Sequence, residues 1–134
     1  MPQEVVLDTS VWVALAKNEM RPEAVAEVQQ ARDAVVSAMS WAELASLAER
    51  GKLDLSKVER LSSLTRTEPI KDGDCLAGGR LHGQLRHRGH PKVGIADCVI
   101  YATARRLGVD LITVDTDLHG LPGVHILAKP GKKA

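Results

Sequence analysis

Short runs of apolar, β-branched residues alternate along this chain with longer stretches whose apolar positions recur at helical spacing. Glu4–Leu7 (EVVL) reads as a buried strand, and Asp8-Thr9-Ser10 opens a helix that reaches about Asn18. Arg21–Arg32 follows as a second helix, with Ala24, Val25 and Val28 on one face. Ala34–Ser37 (AVVS) is the second strand and Ser40–Arg50 the helix after it, stopped by Gly51 just past its last residue. Leu55–Thr65 is a further helix and Glu68–Ile70 a short strand. Cys75–Arg88 keeps helical spacing although Gly78, Gly79 and Gly83 each weaken it. Gly94–Leu107 is the strongest helix, closed by Gly108. Leu111–Val114 (LITV) and Val124–Leu127 (VHIL) are strands, the last at an edge, and the tail from about Lys129 reads as frayed and flexible.

Strands separated by helices pair in parallel through right-handed crossovers. The expected fold is therefore a three-layer α/β/α arrangement around a short, mostly parallel sheet. A chain of 134 residues fits one domain, 1–134, large enough for a real core. In such sheets, sites form at the carboxyl ends of the strands.

Composition changes this picture little. With no Phe, one Tyr and two Trp, the interior must be built from Ala, Val, Leu and Ile. The net charge of +1 does not announce a nucleic-acid partner, so any basic footprint has to be local. Cys75 and Cys98 lack a paired spacing and are expected as buried free thiols in a reducing cytoplasm. The opening MPQEVVLD has neither the basic nor the apolar region of a secretory signal. No run approaches the roughly 18 apolar residues of a spanning helix.

Four carboxylates reach the carboxyl edge. Asp8 follows EVVL directly, and Asp115 follows LITV. Glu43 lies in the first turn of the helix leaving AVVS. Asp97 lies in the first turn of the helix preceding LITV, which must run antiparallel to that strand and so begins at the same edge. Each has a structural alternative: Asp8 could cap a helix, Ser40-x-x-Glu43 has the form of a capping box, and Asp115 could cap a turn with Asp117. Asp97 fits such a role least, because it shares a helix face with Ile100, Tyr101 and Ala104, and a carboxylate facing inward needs a partner. Like charges about 5 Å apart cost roughly 1–3 kcal/mol per pair. A divalent cation relieves that repulsion, and oxygen-only ligands select hard ions, Mg²⁺ or Mn²⁺ rather than Zn²⁺. Such ions activate water and stabilise phosphoryl charge, so phosphodiester hydrolysis is the reaction that fits.

The segments VVLDTSVWVAL, SAMSWAEL, GIADCVIYATARRLGVDLIT and TVDTDL resemble, in order and spacing, the PIN-domain nucleases, most of all the VapC toxins of toxin–antitoxin pairs. The resemblance implies a metal-dependent endoribonuclease with Asp8, Glu43 and Asp97 as metal ligands and Asp115 completing the site. It places Thr9, Ser10 and Thr113 as supporting hydroxyls, with Asp117 beside them. It also implies an antitoxin partner, a groove for it near the first two helices, and a homodimer. Leu118 departs from the family, which usually has Phe after the last Asp; that touches packing more than chemistry.

Between Cys75 and Ala96 there is no acid, while Arg80, Arg86, Arg88 and Lys92 accompany His82, His87 and His90. This reads either as a solvated basic face or as a phosphate track, which Lys129, Lys132 and Lys133 could extend. The histidines lack cysteines at zinc spacing. Trp12, Leu15, Ala16, Met20, Ala24, Val25 and Val28 read mostly as core. Without aromatic interleaving, stacking on aromatic side chains is not the expected means of holding RNA. Two other readings compete: an RNA-processing nuclease without a toxin role, and a phospho-acceptor receiver domain. The latter needs an acidic pair after the first strand and an Asp ending a middle strand, where this chain has Asp8 alone and Ser37-Ala38.

Overall fold

A computed structural model describes residues 4–19, 22–30, 33–63 and 65–127. The elements are β1 (Glu4–Leu7), α1 (Thr9–Ala16), α2 (Pro22–Gln30), β2 (Asp33–Ser37), α3 (Ala38–Glu49), α4 (Leu55–Ser62), β3 (Arg66–Glu68), α5 (Asp72–His87), α6 (Ile95–Leu107), β4 (Asp110–Thr113) and β5 (Val124–Ile126). The five strands lie in the order β3-β2-β1-β4-β5, and every described pair is parallel. Alternate side chains leave opposite faces of a strand. Val5, Leu7, Val36 and Ile112 accordingly pack with Val11, Trp12, Val28, Leu44 and Val58 from α1 to α4. Val6, Val35 and Leu111 pack on the other face with Leu85, Cys98, Ile100 and Ala104 from α5 and α6. Three layers result.

Strand order reverses at β1: β2 and β3 extend to one side, β4 and β5 to the other. The crevice between the carboxyl ends of β1 and β4 is therefore the switch point at which such sheets form sites.

Several boundaries differ from the sequence expectation. α3 starts at Ala38, not Ser40, because the Ser37 hydroxyl caps it by accepting from Met39 N–H at 3.1 Å. The Ser40-x-x-Glu43 capping box therefore does not form: Ser40 is buried inside the helix and Glu43 lies in its second turn. β3 is Arg66–Glu68 rather than Glu68–Ile70, since Pro69 has no N–H for a ladder. α5 begins at Asp72, held by the Lys71 N–H donating to Asp74 Oδ2 at 3.1 Å. α4 ends at Ser62, short of Thr65, and β4 ends at Thr113, short of Val114. Gly51 and Gly108 do close their helices in the left-handed conformation, φ 72° and 70°. Met20, Arg21, Arg32 and the tail with Lys129, Lys132 and Lys133 lie outside the described residues.

Cys98 is buried as expected, and burial followed by the Asp97 charge pushes its thiol up to about 11. Cys75 is exposed, against expectation, because it sits on the outer side of α5. The α5 and α6 helices pack so closely at Gly78 that a Cβ there would stand 2.7 Å from Val99 Cα. Their far ends are tied to the sheet edge by Arg106, which donates to Asp74 at 2.8 Å and to Glu68 at 2.9 Å. Among the described residues no helix is long and apolar enough to cross a membrane.

Candidate active site

Asp8 leaves β1 at the switch point, where its N–H donates to Ile112 O of β4 at 2.9 Å. It occupies the N-cap position of α1 but makes no capping hydrogen bond. Its Oδ2 instead accepts from Ser10 Oγ at 2.8 Å and from Thr113 Oγ1 at 2.9 Å. Each hydroxyl has one proton, so both protons point at Asp8. Each oxygen in turn accepts a backbone N–H, from Val114 onto Ser10 at 3.2 Å and from Asp115 onto Thr113 at 3.0 Å. Asp8 is only 3% exposed. Its Oδ1 is nevertheless one of two buried side-chain polar atoms without a hydrogen-bond partner among the described residues. Leaving such an atom unpaired is costly, so a carboxylate held by one oxygen with the other open is built for a ligand.

Glu43 reaches the same place from α3. Thr9 Oγ1 stands 2.6 Å from Glu43 Oε1 and 2.9 Å from Ser40 Oγ. Its single proton can serve one of them, and the shorter, charge-assisted contact is with the carboxylate. Asp97 arrives at the start of α6, whose first residue is preceded by Gly94. A Cβ on Gly94 would stand 3.3 Å from Asp97 Oδ2, so glycine leaves that carboxylate its room.

The four acids feel one another. Burial raises the Asp8 carboxyl pKa, hydrogen bonds from Ser10 and Thr113 partly offset this, the Asp115 charge adds to the rise, and the Thr9 backbone N–H opposes it least. Burial also raises Glu43, opposed by Thr9 and helped by Asp8 and Asp115. Asp97 is pushed up to about 7, by burial first and then by Asp8, Glu43, Asp115 and Asp117. Glu43, Asp97 and Asp115 line a cavity of about 610 Å³ with Thr9 and Ser10, and the buried Asp8 joins this group through its hydrogen bond from Ser10.

The oxygen-only donor set and the open Asp8 Oδ1 fit a hard divalent cation. Among the described residues no three carboxylate, imidazole or thiol groups stand at ligating spacing.

The other expected residues are distributed. Asp117 lines a neighbouring cleft, together with Lys92. Arg86 is tied down by donating to Pro91 O at 2.6 Å, so it serves its own loop. Arg88 ends α5 as its C-cap, and Arg80 is exposed on that helix. Sequence reasoning missed Ser40 as the neighbour of Thr9, because its spacing to Glu43 imitated a cap. It also gave no role to Gly94 or His119.

Residues 5–124 match the PIN domain family. Comparison with curated protein sequences gives no significant match. Among solved structures the chain is similar to VapBC2 from Rickettsia felis bound to a DNA fragment from its promoter, with TM-score 0.73, 17% identity, and 93% of this chain and 99% of that one covered. It is similar to VapBC-1 from nontypeable Haemophilus influenzae, with TM-score 0.71, 25% identity, and 92% and 97% covered. It is also similar to Mycobacterium tuberculosis VapC20, a sarcin–ricin loop cleaving toxin, with TM-score 0.64, 20% identity, and 92% and 99% covered. The family match runs from β1 into β5 and takes in all four acids, which sets aside the receiver alternative: the chain belongs to the PIN-domain family of nucleases.

Proposed function

We propose that this chain is a divalent-cation-dependent endoribonuclease, acting in the cytoplasm as the toxin of a toxin–antitoxin pair. The observation that carries the reading is the buried, unpartnered Oδ1 of Asp8, whose other oxygen is held by Ser10 in the wall of a cavity that Glu43, Asp97 and Asp115 also line. Asp8, Glu43 and Asp97 are the proposed holders of Mg²⁺ or Mn²⁺, with Asp115 completing the set. A cation bound there would activate water for in-line attack and neutralise charge developing on the phosphoryl oxygens. The chain's own part is positioning. Ser10 and Thr113 fix Asp8 through one oxygen and leave the other open, while Thr9 aims Glu43. Burial and then the neighbouring acids push the Asp97 carboxyl up to about 7, so it holds its proton more tightly than an ordinary carboxyl. The similarity to VapBC structures and to an RNA-cleaving toxin favours RNA as substrate, an antitoxin as partner and a toxin over a processing enzyme. A homodimer belongs to the same proposal, as does a single domain built around the continuous sheet.

The purified protein is expected to cut RNA in Mn²⁺ or Mg²⁺ and to stop in EDTA. Asp8→Asn and Asp97→Asn should each slow cleavage by at least about 100-fold with unchanged circular dichroism. Cutting undiminished by EDTA would contradict the cation mechanism.

A further inference from the structure

The acid-lined cavity repels a polyanion, but the cleft beside it does not share that character. This cleft, of about 670 Å³, lies between the α5–α6 loop and the loop after β4 and is lined by His90, Lys92, Thr116, Asp117 and His119. Thr116 and Asp117 follow Asp115 directly, so the two hollows share the 115–117 segment as a wall. Asp117 is the carboxylate among the lining residues, set against one lysine and two imidazoles.

Both walls are anchored rather than loose. Val93 and Leu118 are buried in the same core cluster, and they adjoin the exposed Lys92 and His119 in sequence. The α5–α6 loop is further held by Arg86 on Pro91 O at 2.6 Å and by His90 N–H on Leu85 O at 3.0 Å. His119 N–H donates to Thr116 O at 3.0 Å across the other loop. These bonds fix the backbone of each wall within its own loop.

We infer that this cleft seats the single-stranded RNA next to the bond that is cut, with Lys92 on a backbone phosphate and the His90 and His119 rings on that phosphate or an adjoining unstacked base. The inference rests on the nuclease reading and adds the substrate's path. Lysine is a compact point charge suited to phosphate. An imidazole offers an N–H donor and a flat face for an unpaired base. The larger aromatic rings are engaged elsewhere: Trp12 and Tyr101 are buried, and Trp41 Nε1 donates to Thr67 at 3.0 Å. A protein ligand fits less well, because the exposed large apolar residues, Leu76 and Ile95, are not in the cleft.

The test uses the full chain carrying Asp97→Asn, in EDTA, with a short fluorescein-labelled single-stranded RNA followed by anisotropy at several salt concentrations. Adding Lys92→Ala should weaken binding about 3- to 10-fold and lower the log–log salt slope by about 0.7. Adding His119→Ala should weaken binding about 2- to 5-fold with little change in slope. Lys57→Ala removes the same charge from α4, outside the cleft, and should match the parent. Because Lys92, His119 and Lys57 are exposed, thermal melts should agree across the set. The inference is overturned if the parent binds no RNA, if both cleft variants bind like the parent, or if Lys57→Ala weakens binding as much as Lys92→Ala. Cleavage by the unmutated chain is scored separately. Cleft-dependent binding without cleavage would sink the nuclease reading and keep the cleft, whereas cleavage and binding indifferent to the cleft would do the reverse.

Discussion

Asp97 carries its burial, and after that the crowding of the acids, in one measurable property, a carboxyl pKa raised from 3.8 to about 7. A group that holds its proton more tightly when folded stabilises the fold while the proton stays on. That contribution is full below the unfolded value and is lost as pH rises through the folded one. In EDTA, the protein should therefore become less stable between about pH 4 and about pH 7 on account of Asp97. Asp97→Asn, which is neutral throughout, should raise the melting temperature clearly at about pH 8 and little at about pH 5. Excess Mn²⁺ should shrink or reverse the gain, because metal stabilises only the form that binds it. A melting temperature lowered equally at both pH values, with and without metal, would make Asp97 a structural residue. Asp8, Asp97 and Asp115 were legible in the sequence because a parallel sheet sends its strand ends to one edge. Glu43 was legible as a candidate but misplaced by a turn, since Ser40-x-x-Glu43 imitated a cap that Ser37 actually supplies. The family resemblance supplied Ser10 and Thr113 as supporting hydroxyls, but not that both hold the same oxygen of Asp8 and leave the other open, a geometry that joins residues 105 apart.

Helix α5 shows why elements were easier to find than to delimit. Its spacing was helical, but its glycines argued against it, and they turn out to differ from one another. A Cβ at Gly78 would stand 2.7 Å from Val99 Cα and 2.8 Å from Val99 N, both backbone atoms that cannot turn aside. At Gly79 a Cβ meets nothing within 4 Å. Gly78→Ala should thus destabilise the protein by about 1–3 kcal/mol through overpacking. Gly79→Ala should stabilise it by about 0.5–1 kcal/mol, the helix-propensity gain of alanine over glycine. Urea denaturation of the two variants checks both signs, and a stabilising Gly78→Ala would show that the two helices can separate freely. Helix starts were misread wherever a polar side chain out of pattern did the capping, as at Ser37 and at Lys71 with Asp74. The short β3 slipped because a three-residue strand has too little alternation to fix its own limits.

Across the whole molecule, alternating strands and helices were enough to specify a parallel three-layer fold, because handed crossovers leave few other solutions. The tie from Arg106 to Asp74 and Glu68 was beyond the sequence, since its partners lie 32 and 38 residues away in what reads as solvated charge. That tie secures α5 and α6 to β3, while the strand order opens a crevice beside β1 and β4. Everything about the proposed activity depends on that crevice holding a cation through Asp8. The direct measurement is calorimetric titration of Mn²⁺ into metal-free protein, run beside Asp8→Asn. The account predicts saturable binding by the unmutated chain and at least about a tenfold loss of affinity in Asp8→Asn, with the variant melting no lower in EDTA. Equal affinity in the two proteins, or no binding by the unmutated chain, would contradict it.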